Sequence, residues 1–128
     1  KIMYEYKALV ERVVDGDTID VIIDLGFKTW KKVRVRMEGI NTPESRTRDL
    51  EEKKRGLAAK DRLVEILELN NNECILQVSG VGKFGRAIAS VFVTSLSPTP
   101  EDSSLTLINV NQQLITEGHA VSYDGGKR

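Results

Sequence analysis

The chain has almost none of the residues that build small metal or disulfide sites. Of its 128 residues, one is cysteine, Cys74, and one is histidine, His119. A lone cysteine excludes an intrachain disulfide, and one histidine beside it leaves too few ligands for a Cys/His zinc site. Cys74 is then expected to act as a small hydrophobe, and His119 as a helix-end residue outside any chemistry. Long apolar runs are missing too. None approaches the roughly 20 residues of a spanning helix, so no membrane partner is expected. Charge imbalance is absent, with 19 Lys+Arg against 19 Asp+Glu, so net charge does not advertise a polyanionic partner. No charged-then-apolar leader opens the sequence, which begins at Lys1 rather than Met. A processed product and a trimmed one are both open, and the compartment stays unassigned.

What is present suits a globular fold. Hydrophobic residues make up 40% and charged residues 30%, which argues against disorder. The length predicts a single domain over residues 1–128 that buries roughly two-thirds of its unfolded surface. Basic residues cluster at Lys31, Lys32, Arg34 and Arg36, and again from Arg46 to Arg55. Most such side chains are simply solvated, yet local basic stripes in a neutral protein can hold phosphate.

Periodicity divides the chain into strands and helices. Residues 7–14 read as a strand ending at the Asp15-Gly16 turn signal, and 17–25 alternate with Ile19, Val21, Ile23 and Leu25 on one face. Residues 28–38 alternate again, with Val33, Val35 and Met37 inward and Arg34 and Arg36 outward. From Leu50 to Leu69 the period becomes helical, with a stripe of Leu50, Leu57, Leu63, Val64 and Leu67 that ends at Asn70-Asn71-Asn72. Two strands follow near 73–79 and 86–93. Residues 94–106, rich in Ser and Pro, read as an exposed excursion without a packing pattern, and a short helix spans about 109–117 before Gly118. Three strands, a helix, two strands and a short C-terminal helix form the order of a β-rich α+β protein, a five-stranded OB-fold barrel.

Three short stretches carry chemistry. They are Asp15-Gly16-Asp17-Thr18, Arg36 followed by Asn41-Thr42-Pro43-Glu44, and Phe84-Gly85-Arg86. Asp17 and Asn41 offer hard oxygens suited to calcium or magnesium. Glu44 offers a base, and Arg36 and Arg86 offer planar forks that grip phosphate bidentately. Each stretch alone has a plainer reading. Asp-Gly is a hairpin turn that tolerates positive φ, Thr-Pro-Glu is a way to start a helix, and Phe-Gly-Arg is a loop. Together in one small barrel they are far harder to dismiss.

In this combination and spacing, roughly from Leu9 to Tyr123, the chain resembles the staphylococcal-nuclease-like (thermonuclease) domains. The resemblance implies a calcium-dependent phosphodiesterase that acts on DNA and RNA as a monomer and leaves 3′-phosphates. Residue by residue it implies Asp17, Asn41 and the Thr42 carbonyl as metal ligands, and Arg36, Glu44 and Arg86 as catalytic residues. Lys83, Phe84 and Tyr123 would contact the nucleotide. Gly56, Asn111, Leu114 and Gly118 match further positions of the pattern. Departures are Asn41, where the best-known members carry an aspartate, Phe84 in place of tyrosine, and a longer 94–106 segment. Asn41 keeps an alternative open: a module of the same fold that binds nucleic acid without cutting it. A purely structural barrel fits less well, because two arginines beside the site would repel a bare cation.

Overall fold

A computed structural model describes residues 4–82, 85–96 and 105–123. Strands β1 (Tyr4–Asp15), β2 (Thr18–Asp24) and β3 (Trp30–Met37) form an antiparallel meander, followed by the two-residue β4 (Ile40–Asn41) and helix α1 (Leu50–Glu68). Next come β5 (Glu73–Val81), β6 (Ala87–Leu96), β7 (Leu105–Asn109), helix α2 (Val110–Thr116) and the two-residue β8 (Val121–Ser122). β5 pairs with β1 and with β6, and β6 closes the circle through a parallel ladder to β3, matching Val35 with Ala87 and Met37 with Ala89. The result is a five-stranded OB-fold barrel with two helices.

Alternation explains the core. Ile19, Val21, Val35, Met37, Leu76 and Val91 point inward and are essentially inaccessible, which is what period-two strands do when one face closes on itself. Cys74 joins them, and burial pushes its thiol up to about 12, so it packs as an inert apolar group. Leu25, expected on the inward face, lies past the end of β2 and is exposed.

The helix α1 corrects the expected stripe. Leu50 is 78% exposed and Leu57 40%. The buried face is Gly56, Ala59, Leu63, Ile66 and Leu67. Its first half consists of small residues because backbone packs directly on it, as described below. The segment 94–106 is corrected at both ends. β6 continues to Leu96 and β7 begins at Leu105, the two paired through Leu96 and Leu105 to Phe92 and Asn109. The β-branched and apolar flanks outweigh Ser95, which pairs with Thr106, and the remaining Ser and Pro residues fall in 97–104, outside the described residues.

A few polar anchors fix the elements that carry the site. The Asn111 side chain accepts from Val91 N at 3.0 Å and donates to Glu38 O at 2.7 Å, tying α2 to β6 and to the turn after β3. That turn leads into β4, which pairs Ile40 with Ser122 and Asn41 with Val121. Tyr123 N donates to Gly39 O at 2.8 Å. Arg62 of α1 grips Glu117 through two bonds of 2.6 and 2.8 Å, joining the helices.

Candidate active site

Asp17 sits in the two-residue turn between β1 and β2, where Asp15 pairs with Thr18. The turn was expected to need Gly16 for positive φ, but Gly16 does not adopt it. Its requirement is space: a Cβ there would lie 2.8 Å from Ala59 Cβ and 3.0 Å from the Thr42 side chain. The hairpin end is therefore pressed between α1 and the segment after β4. Asp17 is buried, with Oδ1 accepting from Thr18 Oγ1 and Oδ2 accepting from Thr42 N, both at 3.0 Å.

Arg36 reaches this carboxylate because β2 and β3 pair Thr18 with Arg36, and Met37 N donates to Asp17 O at 2.8 Å. Outward on its strand, as expected, Arg36 is nonetheless covered to 17% side-chain exposure. Its Nη1 lies 3.4 Å from Asp17 Oδ2 and donates to Met37 O at 3.0 Å, while Nη2 donates to Asn41 Oδ1 at 3.3 Å. The guanidinium also lies 5.9 Å from the centre of the Tyr123 ring, within cation–π range. One cationic fork thus spans the two oxygens expected to hold a metal.

Asn41, Thr42 and Glu44 follow on the short β4 and the chain after it. No helix begins at Thr42-Pro43-Glu44. α1 starts at Leu50, capped by Asp49, whose side chain accepts from Glu51 N and Glu52 N. The Glu44 amide donates to Glu52 Oε2 at 3.2 Å, and Ser45 Oγ donates to Asp15 Oδ1. Gly56 lies directly beneath, where a Cβ would be 2.3 Å from Glu44 O.

These pieces enclose one cavity of about 570 Å³, walled by Asp17, Arg36, Asn41, Thr42, Glu44 and Arg86. Two polar atoms in its wall, Arg86 Nε and Thr42 Oγ1, are buried without a hydrogen-bond partner among the described residues. Such atoms are costly unless a ligand or water satisfies them. Lys83 and Phe84 lie outside the described residues. Asp15, Glu52, Arg55 and His119 also line the cavity, and the sequence reading assigned none of them to it. Glu52 and Arg55 carry a usable signal, their placement one helical turn apart in the first turns of α1.

The oxygens of Asp17, Asn41 and Thr42 are of the type a hard cation takes, and the unpartnered Thr42 hydroxyl adds polar capacity beside them. Among the described residues no three His, Cys, Asp or Glu side chains converge to hold a metal. A cation here would rest on one carboxylate and neutral oxygens.

Comparison with known proteins follows the same outline. The sequence model of the staphylococcal nuclease homologue family matches residues 34–127, which include every expected site residue except Asp17. Protein ParB of Escherichia coli is 28% identical over 123 residues, covering 93% of this chain and 58% of its own length. A micrococcal nuclease of Shigella flexneri is 28% identical over 119 residues, covering 93% and 59%. The chain thus spans a little under three-fifths of the relatives it matches.

Proposed function

Because the chain belongs to the staphylococcal nuclease homologue family, we propose that it hydrolyses phosphodiester bonds of DNA and RNA with calcium as cofactor and leaves 3′-phosphates. The observation that carries this reading is the shared cavity. Asp17, Asn41, Arg36, Arg86 and the exposed Glu44 all line a space of about 570 Å³, large enough for a nucleotide.

The chemistry follows from the groups. A phosphodiester is anionic and repels nucleophiles, so its cleavage needs charge compensation and an oriented water. Asp17, Asn41 and Thr42 would hold the calcium, which when bound polarises a phosphoryl oxygen and offsets charge. Arg86, whose Nε has no partner among the described residues, offers that donor to a phosphate oxygen. Arg36 supplies the second fork, and phosphate competes with Asp17 and Asn41 for it. Glu44 takes the proton of the attacking water, a general-base role in which its exposure matters because water must reach it. Tyr123, beside Arg36, offers a face for a base or sugar.

A second reading is favoured by Asn41. With one carboxylate in the donor set, the site has fewer negative charges for a cation, as expected of a module that binds nucleic acid without cleaving it. One assay separates the two: labelled single-stranded DNA incubated with the protein in calcium, in magnesium and in chelator. Calcium-dependent cleavage that chelator abolishes supports the nuclease. Binding in all three conditions with no cleavage in any of them refutes it.

A further inference from the structure

The Glu44 carboxylate is exposed, and among the described residues its side chain has no hydrogen-bond or ionic partner. Its aim is therefore set by its backbone. That backbone is held from below by the first turns of α1, and the residue that holds it has been diverted from a local task.

Asp49-x-x-Glu52 has the spacing of a capping box, in which the second acid returns to the amide of the cap residue. Asp49 does its half, accepting from Glu51 N at 3.0 Å and Glu52 N at 3.3 Å. Glu52 does not do the other half. The Asp49 amide donates to Thr47 Oγ1 at 3.3 Å, and Glu52 Oε2 accepts from the Glu44 amide at 3.2 Å. One turn on, Gly56 lacks the Cβ that would strike Glu44 O and C at 2.3 and 2.4 Å. Ser45, buried, donates to Asp15. The Glu44 main chain is thus held against α1, and its neighbour Ser45 is tied by its side chain to the end of β1, while among the described residues the Glu44 carboxylate has no partner.

We infer that Glu52 is a positioning residue: its carboxylate fixes the Glu44 main chain so that the Glu44 carboxylate faces the cavity shared with Arg36 and Arg86. The effect on turnover rests on the proposed nuclease reading, but the hydrogen bond itself does not. A carboxylate used in this way needs only an acceptor oxygen. Charge is dispensable, which distinguishes it from a base or a metal ligand.

Two measurements test it. The first is hydrogen exchange of the Glu44 amide by NMR. Glu52→Ala should speed exchange at least about tenfold, and Glu52→Gln, which keeps an acceptor, should restore most of the protection. The second is cleavage kinetics. Glu52→Ala should lower kcat by roughly 10–100-fold with KM changed less than about twofold, because misplacement by an ångström costs rate and not ground-state binding. Added to Glu44→Gln, it should cost nothing more, since a residue that acts through Glu44 has nothing left to position. Unchanged Glu44 exchange in Glu52→Ala overturns the inference, whether or not the protein cleaves anything. Full additivity with Glu44→Gln, or a Glu52→Gln variant as slow as Glu52→Ala, overturns it as well. Absence of cleavage by the unmodified protein would refute the nuclease reading and leave the exchange experiment to decide on Glu52.

Discussion

Replacing Gly56 by alanine sets two effects of known sign against each other. In a helix interior, alanine is favoured over glycine by about 1 kcal/mol, so on propensity alone the variant should be more stable. The new Cβ, however, would lie 2.3 Å from Glu44 O, 2.4 Å from Glu44 C and 2.7 Å from Ser45 N, where ordinary contact lies at 3.4–4 Å. The obstacle is main chain, which has no rotamer to change. The Glu44 segment must retreat by roughly 1 Å, and overpacking of this kind costs about 1–3 kcal/mol. Net destabilisation of about 0–2 kcal/mol is expected, modest because propensity offsets part of the strain. Turnover should suffer far more, since a displacement of about 1 Å at a reacting group is worth roughly 100-fold in rate. Urea unfolding and single-turnover cleavage of an oligonucleotide, run on the same preparations, measure both. A Gly56→Ala protein that is more stable and cleaves at the original rate would refute the view that this glycine exists to let Glu44 approach.

Other expectations follow from the same geometry. Glu44→Gln should bind a nucleotide analogue normally while cleavage falls by at least about 100-fold, because glutamine cannot take a proton; cleavage at the original rate would remove the base role. Asn41→Asp should raise calcium affinity about tenfold and Asn41→Ala should lower it, as hard-cation sites tighten with ligand charge; calorimetric titration with a nucleotide analogue at fixed salt would compare them, and equal affinities would exclude Asn41 as a ligand. Bonds from Arg62, and secondarily from Gln113, hold the Glu117 carboxyl at about 2, below its usual 4.5. Its contribution to stability is therefore complete above about pH 5 and is lost as pH falls towards 2. The stability gap between the unmodified protein and Glu117→Gln should close over that window, and a gap independent of pH would show that the pair contributes nothing through ionisation.

The five barrel strands and both helices were legible in the sequence because their signals are local. Period-two alternation in residues 17–38, an Asp-Gly turn and an asparagine run after a helical stripe each act within a few residues. The motif residues were legible as types, since a carboxylate, an amide oxygen and a guanidinium carry their chemistry wherever they are.

Tertiary structure alone decided which surfaces these elements use. The first half of the buried face of α1 turned out to be Gly56 and Ala59 rather than Leu50 and Leu57, while Leu63 and Leu67 are buried as expected, because the chain around Glu44 and the β1–β2 turn occupy the space a leucine would need there. Gly16 answers to the same crowding and not to backbone torsion. β4 and β8, two residues each, exist only because residues 40–41 and 121–122 meet across the fold, and no pattern of so short a length can announce a partner 80 residues away. The diversion of Glu52 from its capping box to the Glu44 amide has the same origin. Composition and period state what a residue can do, and the neighbours that the closed barrel brings against it determine which of those things it does.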